Sequence, residues 1–192
     1  MKYLPQNRLL GMVIAGIFIG IGAGIVILAS LGLIFSPKIL GQGSGLLPQD
    51  VDPQLGKIAP NFNLDDLDGK EIQLLNDSQR PTLINFWATW CPPCVAEMAT
   101  IQQYYVESGR SFRVLAVNAD EPPEDVQRFA NEHGLSFDIL LDPGGHVQEL
   151  YRLRGYPTSF ILDSDGVVMR EHVGLLTESK LRNYLSEVGV AQ

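Results

Sequence analysis

The sequence contains few of the residues that crosslink small domains or bind metals in them. Its 192 residues include two cysteines, Cys91 and Cys94, and three histidines. A structural zinc site usually needs four ligands, and a domain stapled by disulfides usually has more cysteines at wider spacing. Zinc binding and a purely structural disulfide are therefore the less favoured interpretations, and the close cysteine spacing favours redox chemistry. The histidines, His133, His146 and His172, are scattered and have no predicted role.

Acidic residues are absent from the first 40 positions, which contain three Lys and Arg. Residues 41–192 contain all 22 Asp and Glu together with 11 Lys and Arg, so their net charge is −11. An acidic surface repels phosphate groups, and nucleic-acid binding is therefore not expected. The length is sufficient for one ordinary domain with an appendage and too short for two full-sized domains.

One long segment lacks charge altogether. Residues 9–35 are mostly Ile, Leu, Val, Ala and Gly. As a helix, this run of 27 residues would be about 40 Å long, more than the ~30 Å hydrocarbon core of a bilayer. A cleaved signal peptide has an apolar stretch of only about 7–15 residues. The sequence therefore predicts an uncleaved signal-anchor that forms a single transmembrane helix, with a cleaved signal peptide as the alternative.

The charges that flank this span favour one orientation. Lys2 and Arg8 precede it and Lys38 follows it, so residues 1–8 are predicted to lie in the cytoplasm. The rest of the chain would then lie outside the cytoplasm, in an oxidising compartment such as the periplasm, the outer face of the membrane or the thylakoid lumen.

Glycines recur at four-residue spacing within the span, where Gly16, Gly20 and Gly24 share one helix face. Such a face allows a second helix to approach closely, so it predicts a dimer or a contact with a membrane partner. The alternative is that glycine is simply common in membrane spans.

The rest of the chain is predicted to be a flexible linker at residues 36–56, rich in Pro and Gly, and one domain at residues 57–192. In this domain strand patterns alternate with helix patterns, and this order predicts an α/β sheet with both faces covered. The predicted strands are 61–64, 71–74, 82–87, 112–118, 137–141, 158–162 and 167–173, the first two forming a hairpin; the predicted helices are 92–108, 123–134, one around 147–151 and one capped by Thr177.

Cys91 and Cys94 lie where a buried strand is predicted to end and a helix to begin. Unpaired amides and the helix dipole at this end favour a thiolate, which lowers the pKa of Cys91 and makes it the attacking nucleophile. Pro92 costs no hydrogen bond there, because the amide that it lacks would have been unpaired. Cys94 lies three residues further on the same side, so it can resolve a mixed disulfide formed at Cys91.

The segment FWATWCPPC at residues 86–94 resembles the thioredoxin superfamily and, more narrowly, the membrane-anchored TlpA/ResA/CcmG thiol–disulfide oxidoreductases, closest to the ResA type. The similarity covers about residues 57–192. It implies a thioredoxin-like fold, with a central mixed sheet, helices on both faces and an N-terminal β-hairpin, behind the transmembrane helix. The supporting segments are APNFNL at 59–64, DGK at 68–70, CVAE at 94–97, GYPT at 155–158 and GLLTE at 174–178.

The resemblance implies a substrate-binding surface beside the cysteines. Pro157 matches the family's cis-proline, which faces the cysteine pair across the active site. Tyr156 would then lie beside an incoming extended peptide that pairs with the backbone. Trp90, Pro92 and Pro93 are expected to complete this surface.

The resemblance also implies a general base. Glu97 matches the glutamate that ResA-like members have just past the second cysteine, where it would help Cys94 to lose its proton. The alternative is an ordinary exposed helical glutamate. Asn85 occupies the position of a buried aspartate in many thioredoxins and cannot take a proton. Ala99 replaces a proline that kinks the helix in related members. The helix is then expected to be straighter here, which leaves the direction of the Glu97 side chain open.

The implied function is reduction of the disulfide in the haem-attachment CxxCH site of apocytochrome c. A membrane electron carrier of the CcdA or DsbD kind would then re-reduce the chain's own disulfide. No cofactor is expected beyond the redox-active pair Cys91–Cys94, and no metal. The alternatives are a general oxidant or reductase of envelope proteins, a peroxidase, and a copper-handling module, whose related chaperones have a wider CxxxC spacing.

Overall fold

The computed structural model describes residues 53–75 and 79–191. The predicted cytoplasmic segment 1–8, the span 9–35 with its glycine face, and most of the linker 36–56 lie outside the described residues. Among the residues that are described, no helix combines the length and the apolar character needed to cross a bilayer. At the start of the domain, the Gly56 amide donates to the Val168 carbonyl at 2.8 Å.

The described chain forms seven strands and four α-helices that alternate along most of its length. The elements are β1 (Asn63–Asp65), β2 (Glu71–Gln73), β3 (Thr82–Trp87), α1 (Pro92–Glu107), β4 (Arg113–Asn118), α2 (Pro123–Glu132), β5 (Asp138–Leu141), α3 (His146–Leu150), β6 (Thr158–Leu162), β7 (Val168–Val173) and α4 (Glu178–Glu187). The predicted strands and helices agree with these elements to within a few residues.

A five-stranded sheet with the order β5-β4-β3-β6-β7 forms the centre of the domain. β3 pairs with β4 and β4 with β5 in parallel, whereas β6 pairs antiparallel with both β3 and β7. Every residue of β3 is buried, as expected for a mostly apolar central strand that is covered on both faces of the sheet. β1 and β2 form a separate antiparallel hairpin. The predicted mixed sheet and N-terminal hairpin are thereby confirmed.

The alternation of side chains along β3 divides the core into two layers. Leu83 and Trp87 belong to a cluster that includes buried residues of α1, α2 and α4. Ile84 and Phe86 belong to a second cluster that includes the hairpin and Val147 of α3. Helices therefore cover both faces of the sheet, as predicted, and the helix that carries the cysteines packs on the first face.

The helix ends follow local signals, with one difference from expectation. α1 is continuous from Pro92 to Glu107, including Ala99, and Gly109 follows in the left-handed conformation with φ 64°. Thr177 occupies the N-cap position of α4, but its hydroxyl makes no capping hydrogen bond to the helix. Its oxygen instead lies 3.3 Å from the Ser179 hydroxyl, so Thr177 is the N-cap residue, as predicted, but has no side-chain hydrogen bond to the helix.

Candidate active site

Cys91 and Cys94 form a disulfide at the start of α1. Cys91 is the N-cap residue, and its sulfur accepts a hydrogen bond from the Cys94 amide at 3.3 Å. The same unpaired amides and helix dipole would stabilise a thiolate on Cys91 after reduction. Cys91 is 4% exposed and Cys94 is completely buried, so Cys91 is the sulfur that an incoming group reaches first.

A carboxylate that the sequence analysis missed holds the loop before Cys91. Glu121 Oε2 accepts the Thr89 amide at 2.7 Å, and its other oxygen accepts the Thr89 hydroxyl. Asn118, the last residue of β4, donates to Glu121 Oε2 at 2.8 Å. Because β3 and β4 are parallel, their carboxyl ends meet, and an acid just after β4 can reach the loop after β3. That adjacency is the signal that could have identified Glu121.

Of the predicted substrate-binding residues, Trp90, Pro92 and Pro93 adjoin the cysteines along the chain, and Tyr156 contacts Trp90. The Tyr156–Pro157 peptide bond is cis, which confirms that expectation. Trp90 is 64% exposed, and its ring lies edge-on to Tyr156 with the centroids 5.9 Å apart. Pro92 and Pro93 are exposed at the start of α1. An exposed apolar surface therefore borders Cys91.

Tyr156 also experiences the charges of this region. Burial raises the pKa of its phenol, and the carboxylates of Asp142 and Glu121 raise it further. The phenol therefore remains protonated at neutral pH and can donate a hydrogen bond to an incoming group.

Glu97 lies inside the protein, one turn of α1 beyond Cys94. The residue is completely buried, which excludes the alternative of an ordinary exposed helical glutamate. Its Oε2 accepts the Leu176 amide at 2.8 Å and its Oε1 accepts the Asn85 side-chain amide at 2.6 Å. Burial raises the pKa of the carboxyl from 4.5 to about 7, although both hydrogen bonds oppose this rise. Such a group can exchange a proton near neutral pH, but its action as a general base stays a prediction.

Asn85 connects Glu97 to the neighbouring strand. Its Nδ2 donates both to Glu97 and to the hydroxyl of Ser159 at 3.0 Å, and Ser159 lies directly opposite Asn85 in the β3–β6 pairing. Neither Ser159 nor the Leu176 amide was identified from the sequence. The only signal was a serine within a mostly apolar strand.

Among the described residues, no three His, Cys, Asp or Glu side chains are placed to hold a metal ion. The three histidines lie in separate parts of the fold. His133 stacks on Phe129 with the ring centroids 3.9 Å apart, His146 begins α3 and His172 lies in β7.

Comparisons with known proteins agree with this geometry. The profile of the AhpC/TSA family matches residues 55–171. The chain is 37% identical over 136 residues to the thiol–disulfide oxidoreductase ResA of Bacillus anthracis, an alignment that covers 70% of this chain and 79% of that protein. It is also 37% identical over 131 residues to ResA of Halalkalibacterium halodurans, covering 68% of this chain and 74% of that protein.

Solved structures are similar over the same region. A protein from Chlorobium tepidum described as the thiol:disulfide interchange protein DsbE is 30% identical, with a TM-score of 0.65, and the match covers 70% of this chain and 97% of that chain. StoA from Bacillus subtilis is 27% identical with a TM-score of 0.57, and the match covers 65% of this chain and 96% of that chain.

Proposed function

The chain belongs to the AhpC/TSA family, as a thioredoxin-like thiol–disulfide oxidoreductase of the ResA kind, and from this premise we propose that it reduces the CxxCH disulfide of apocytochrome c outside the cytoplasm. The observation that carries the proposal is the buried Glu97 carboxyl one turn behind the Cys91–Cys94 disulfide. This arrangement supplies both a dithiol and a proton acceptor for exchange. The choice of apocytochrome c rests on the similarity to ResA.

The first chemical step is attack by Cys91. In the reduced enzyme its thiolate attacks one sulfur of the substrate disulfide, so that a bond forms between Cys91 and the substrate. The other substrate sulfur leaves with the electron pair of the broken bond and takes up a proton. The exposed Trp90 ring and the half-buried Tyr156 ring would hold the substrate chain beside the mixed disulfide.

The second step is resolution by Cys94. Its thiol gives a proton to the Glu97 carboxylate, and the thiolate so formed attacks the Cys91 sulfur. The second substrate sulfur leaves as a thiolate and is protonated. The substrate has then gained two electrons and two protons, and the enzyme has reached the Cys91–Cys94 disulfide.

We propose that residues 9–35 anchor the chain in the membrane, with residues 1–8 in the cytoplasm and the domain on the outer side. The apolar character and length of residues 9–35 support this proposal. The anchor would keep the domain close to a membrane electron donor of the CcdA or DsbD kind, which returns two electrons and two protons to the cysteines. The face of Gly16, Gly20 and Gly24 would contact that donor or a second copy of the chain.

The direction of electron flow is tested by the reduction potential of the full-length chain. Detergent-solubilised protein is equilibrated at pH 7 with mixtures of reduced and oxidised dithiothreitol, and the fraction of disulfide is measured by thiol alkylation. A midpoint near the ~−270 mV of thioredoxin supports the reductant role. A midpoint above ~−180 mV, the value of protein disulfide isomerase, contradicts it.

The substrate is tested with two matched peptides. One contains an oxidised CxxCH site and the other is identical except that alanine replaces the histidine. Faster reduction of the CxxCH peptide by the reduced chain supports the apocytochrome assignment. Equal rates would assign the chain to general reduction of envelope disulfides instead.

A further inference from the structure

The two oxygens of Glu97 have unequal freedom to carry a proton. Oε2 accepts the Leu176 amide at 2.8 Å, and a backbone N–H can only donate. Oε2 must therefore remain an acceptor in both protonation states of the carboxyl. Because the carbonyl oxygen of a neutral carboxyl is a better acceptor than its hydroxyl oxygen, the Leu176 amide favours protonation of Glu97 on Oε1.

Protonation of Oε1 conflicts with its present partner. Asn85 Nδ2 donates to Oε1 at 2.6 Å, so a proton directed along this contact would face another hydrogen. Asn85 is completely buried, and among the described residues its Oδ1 has no hydrogen-bond partner. A buried acceptor without a donor is rare in folded proteins and requires an explanation.

We propose that the Asn85 side-chain amide turns over when Glu97 is protonated, so that Oδ1 replaces Nδ2 against both Glu97 and Ser159. In the ionised state Nδ2 donates to Glu97 Oε1 and to the Ser159 oxygen. In the neutral state Oδ1 accepts from the protonated Oε1 and from the Ser159 hydroxyl, since a hydroxyl can donate or accept. Asn85 is then a positioning residue that keeps Glu97 in one place while a proton arrives and leaves.

This inference depends on the proposed proton transfer from Cys94 to Glu97 and adds the means by which the buried carboxyl changes charge. The Asn85 side-chain amide can hydrogen-bond to Glu97 whether the carboxyl is ionised or neutral. An aspartate at position 85 would instead bring a second charge close to Glu97. The number of hydrogen bonds to Glu97 is the same before and after the proton arrives.

Few groups around Glu97 other than its own carboxyl could make the Asn85 amide turn over with pH. Its hydrogen-bond partners, Asn85 and the Leu176 amide, are uncharged, and Cys94 on the same helix is in the disulfide. His172 of β7 is the titratable group at the adjoining loop, where its Nε2 lies 3.1 Å from the Leu175 carbonyl oxygen.

Two ion pairs of α4 share Arg182. Arg182 pairs with Glu178 and with Glu107, which lies ten residues beyond Glu97 on α1. At about 1.5 Å per residue, Glu107 and its pair with Arg182 lie about 15 Å from Glu97 along the α1 axis.

The test is a pH titration of the oxidised full-length chain by NMR, with ¹⁵N in asparagine side chains and ¹³C in glutamate carboxyls. Spectra are recorded from about pH 5 to about pH 9. At high pH the Asn85 amide protons should show cross-relaxation with the Ser159 β-protons. This signal should be lost at low pH, with the same midpoint as the Glu97 carboxyl. Persistence of the signal through the Glu97 titration overturns the inference.

The chain contains an internal control. Asn118 is also completely buried, and its Nδ2 donates to Glu121, but its Oδ1 accepts the Glu121 backbone amide at 3.2 Å. Because a backbone N–H can only donate, it requires Oδ1 of Asn118 to stay in place, and the Asn118 side-chain amide cannot turn over. Its side-chain signals should therefore keep their contacts across the Glu97 titration.

Two variants make the test specific. Glu97→Gln imitates the neutral carboxyl, because the glutamine oxygen must face the Leu176 amide and its NH₂ must face Asn85. In this variant the Asn85 signal should have its low-pH form at every pH, and retention of the Ser159 contact overturns the inference. His172→Gln should leave the Asn85 midpoint unchanged, and loss of the transition would assign it to His172 instead. No substrate is used, so failure here is distinguishable from failure of the proposed function, which the potential and the peptides test.

Discussion

The burial of Glu97 makes the stability of the domain depend on pH in a defined direction. Its carboxyl has a pKa of about 7 in the folded protein and an ordinary value of 4.5. The folded state therefore holds the proton more tightly than the unfolded state, and stability falls as pH rises from about 4.5 through 7. At about 1.4 kcal/mol for each pH unit, the ionised carboxylate costs about 3 kcal/mol above pH 7.

The variant Glu97→Gln removes this cost because glutamine never ionises. We expect the oxidised variant to exceed the oxidised parent in free energy of unfolding by about 3 kcal/mol at pH 8. The difference should disappear as pH falls to about 4.5. The measurement is urea unfolding of a fragment containing residues 45–192, without reductant, followed by circular dichroism at a series of pH values.

Glu132 provides the matched control, since it is an exposed glutamate at the end of α2. Glu132→Gln should change the free energy of unfolding by less than about 0.5 kcal/mol at every pH. If Glu97→Gln instead shows the same stability difference at pH 4.5 and at pH 8, the carboxylate is not destabilised by burial. The assignment of Glu97 as a proton carrier near neutral pH would then lose its physical basis.

Three further predictions concern the residues around the disulfide. Cys94→Ser should accumulate a mixed disulfide with a CxxC peptide, detected as an adduct by mass spectrometry, whereas Cys91→Ser should form none if Cys91 is the attacking sulfur. Glu121→Gln weakens the charge-assisted bonds to Thr89, and we expect a loss of about 1.5–3 kcal/mol in urea unfolding; an unchanged midpoint would contradict the anchoring of this loop. Trp90→Ala should slow reduction of a disulfide-containing protein several-fold while leaving exchange with glutathione unchanged, and equal slowing of both would contradict a docking role.

The sequence predicted well those features whose signals are local. β3 was placed correctly because its six residues form a short, mostly apolar run with no competing period. The start of α1 was marked by the two prolines after Cys91, which are compatible only with the first turn of a helix. Pro157 was identified through its family motif, since a proline in isolation seldom implies a cis bond.

The features that were missed depend on how distant segments meet. Ser159 reaches Asn85 because β6 pairs with β3 in one register, and no pattern within either strand specifies that register. The Leu176 amide reaches Glu97 from a loop 79 residues away in sequence. Glu121 was not identified from the sequence, because its bonds to Thr89 require the two parallel strand ends to be neighbours.

The two tryptophans of this chain have opposite environments, and this contrast gives the protein two separate optical reporters. Trp87 is completely buried in the core at the end of β3, whereas Trp90 is 64% exposed beside the disulfide. A water-soluble quencher such as iodide should reach Trp90 alone in the folded protein. A bound substrate would shield Trp90 and reduce the quenching, whereas unfolding would open both rings and increase it. Substrate docking and denaturation can thus be distinguished in the unlabelled chain by whether iodide quenching of the tryptophan fluorescence falls or rises.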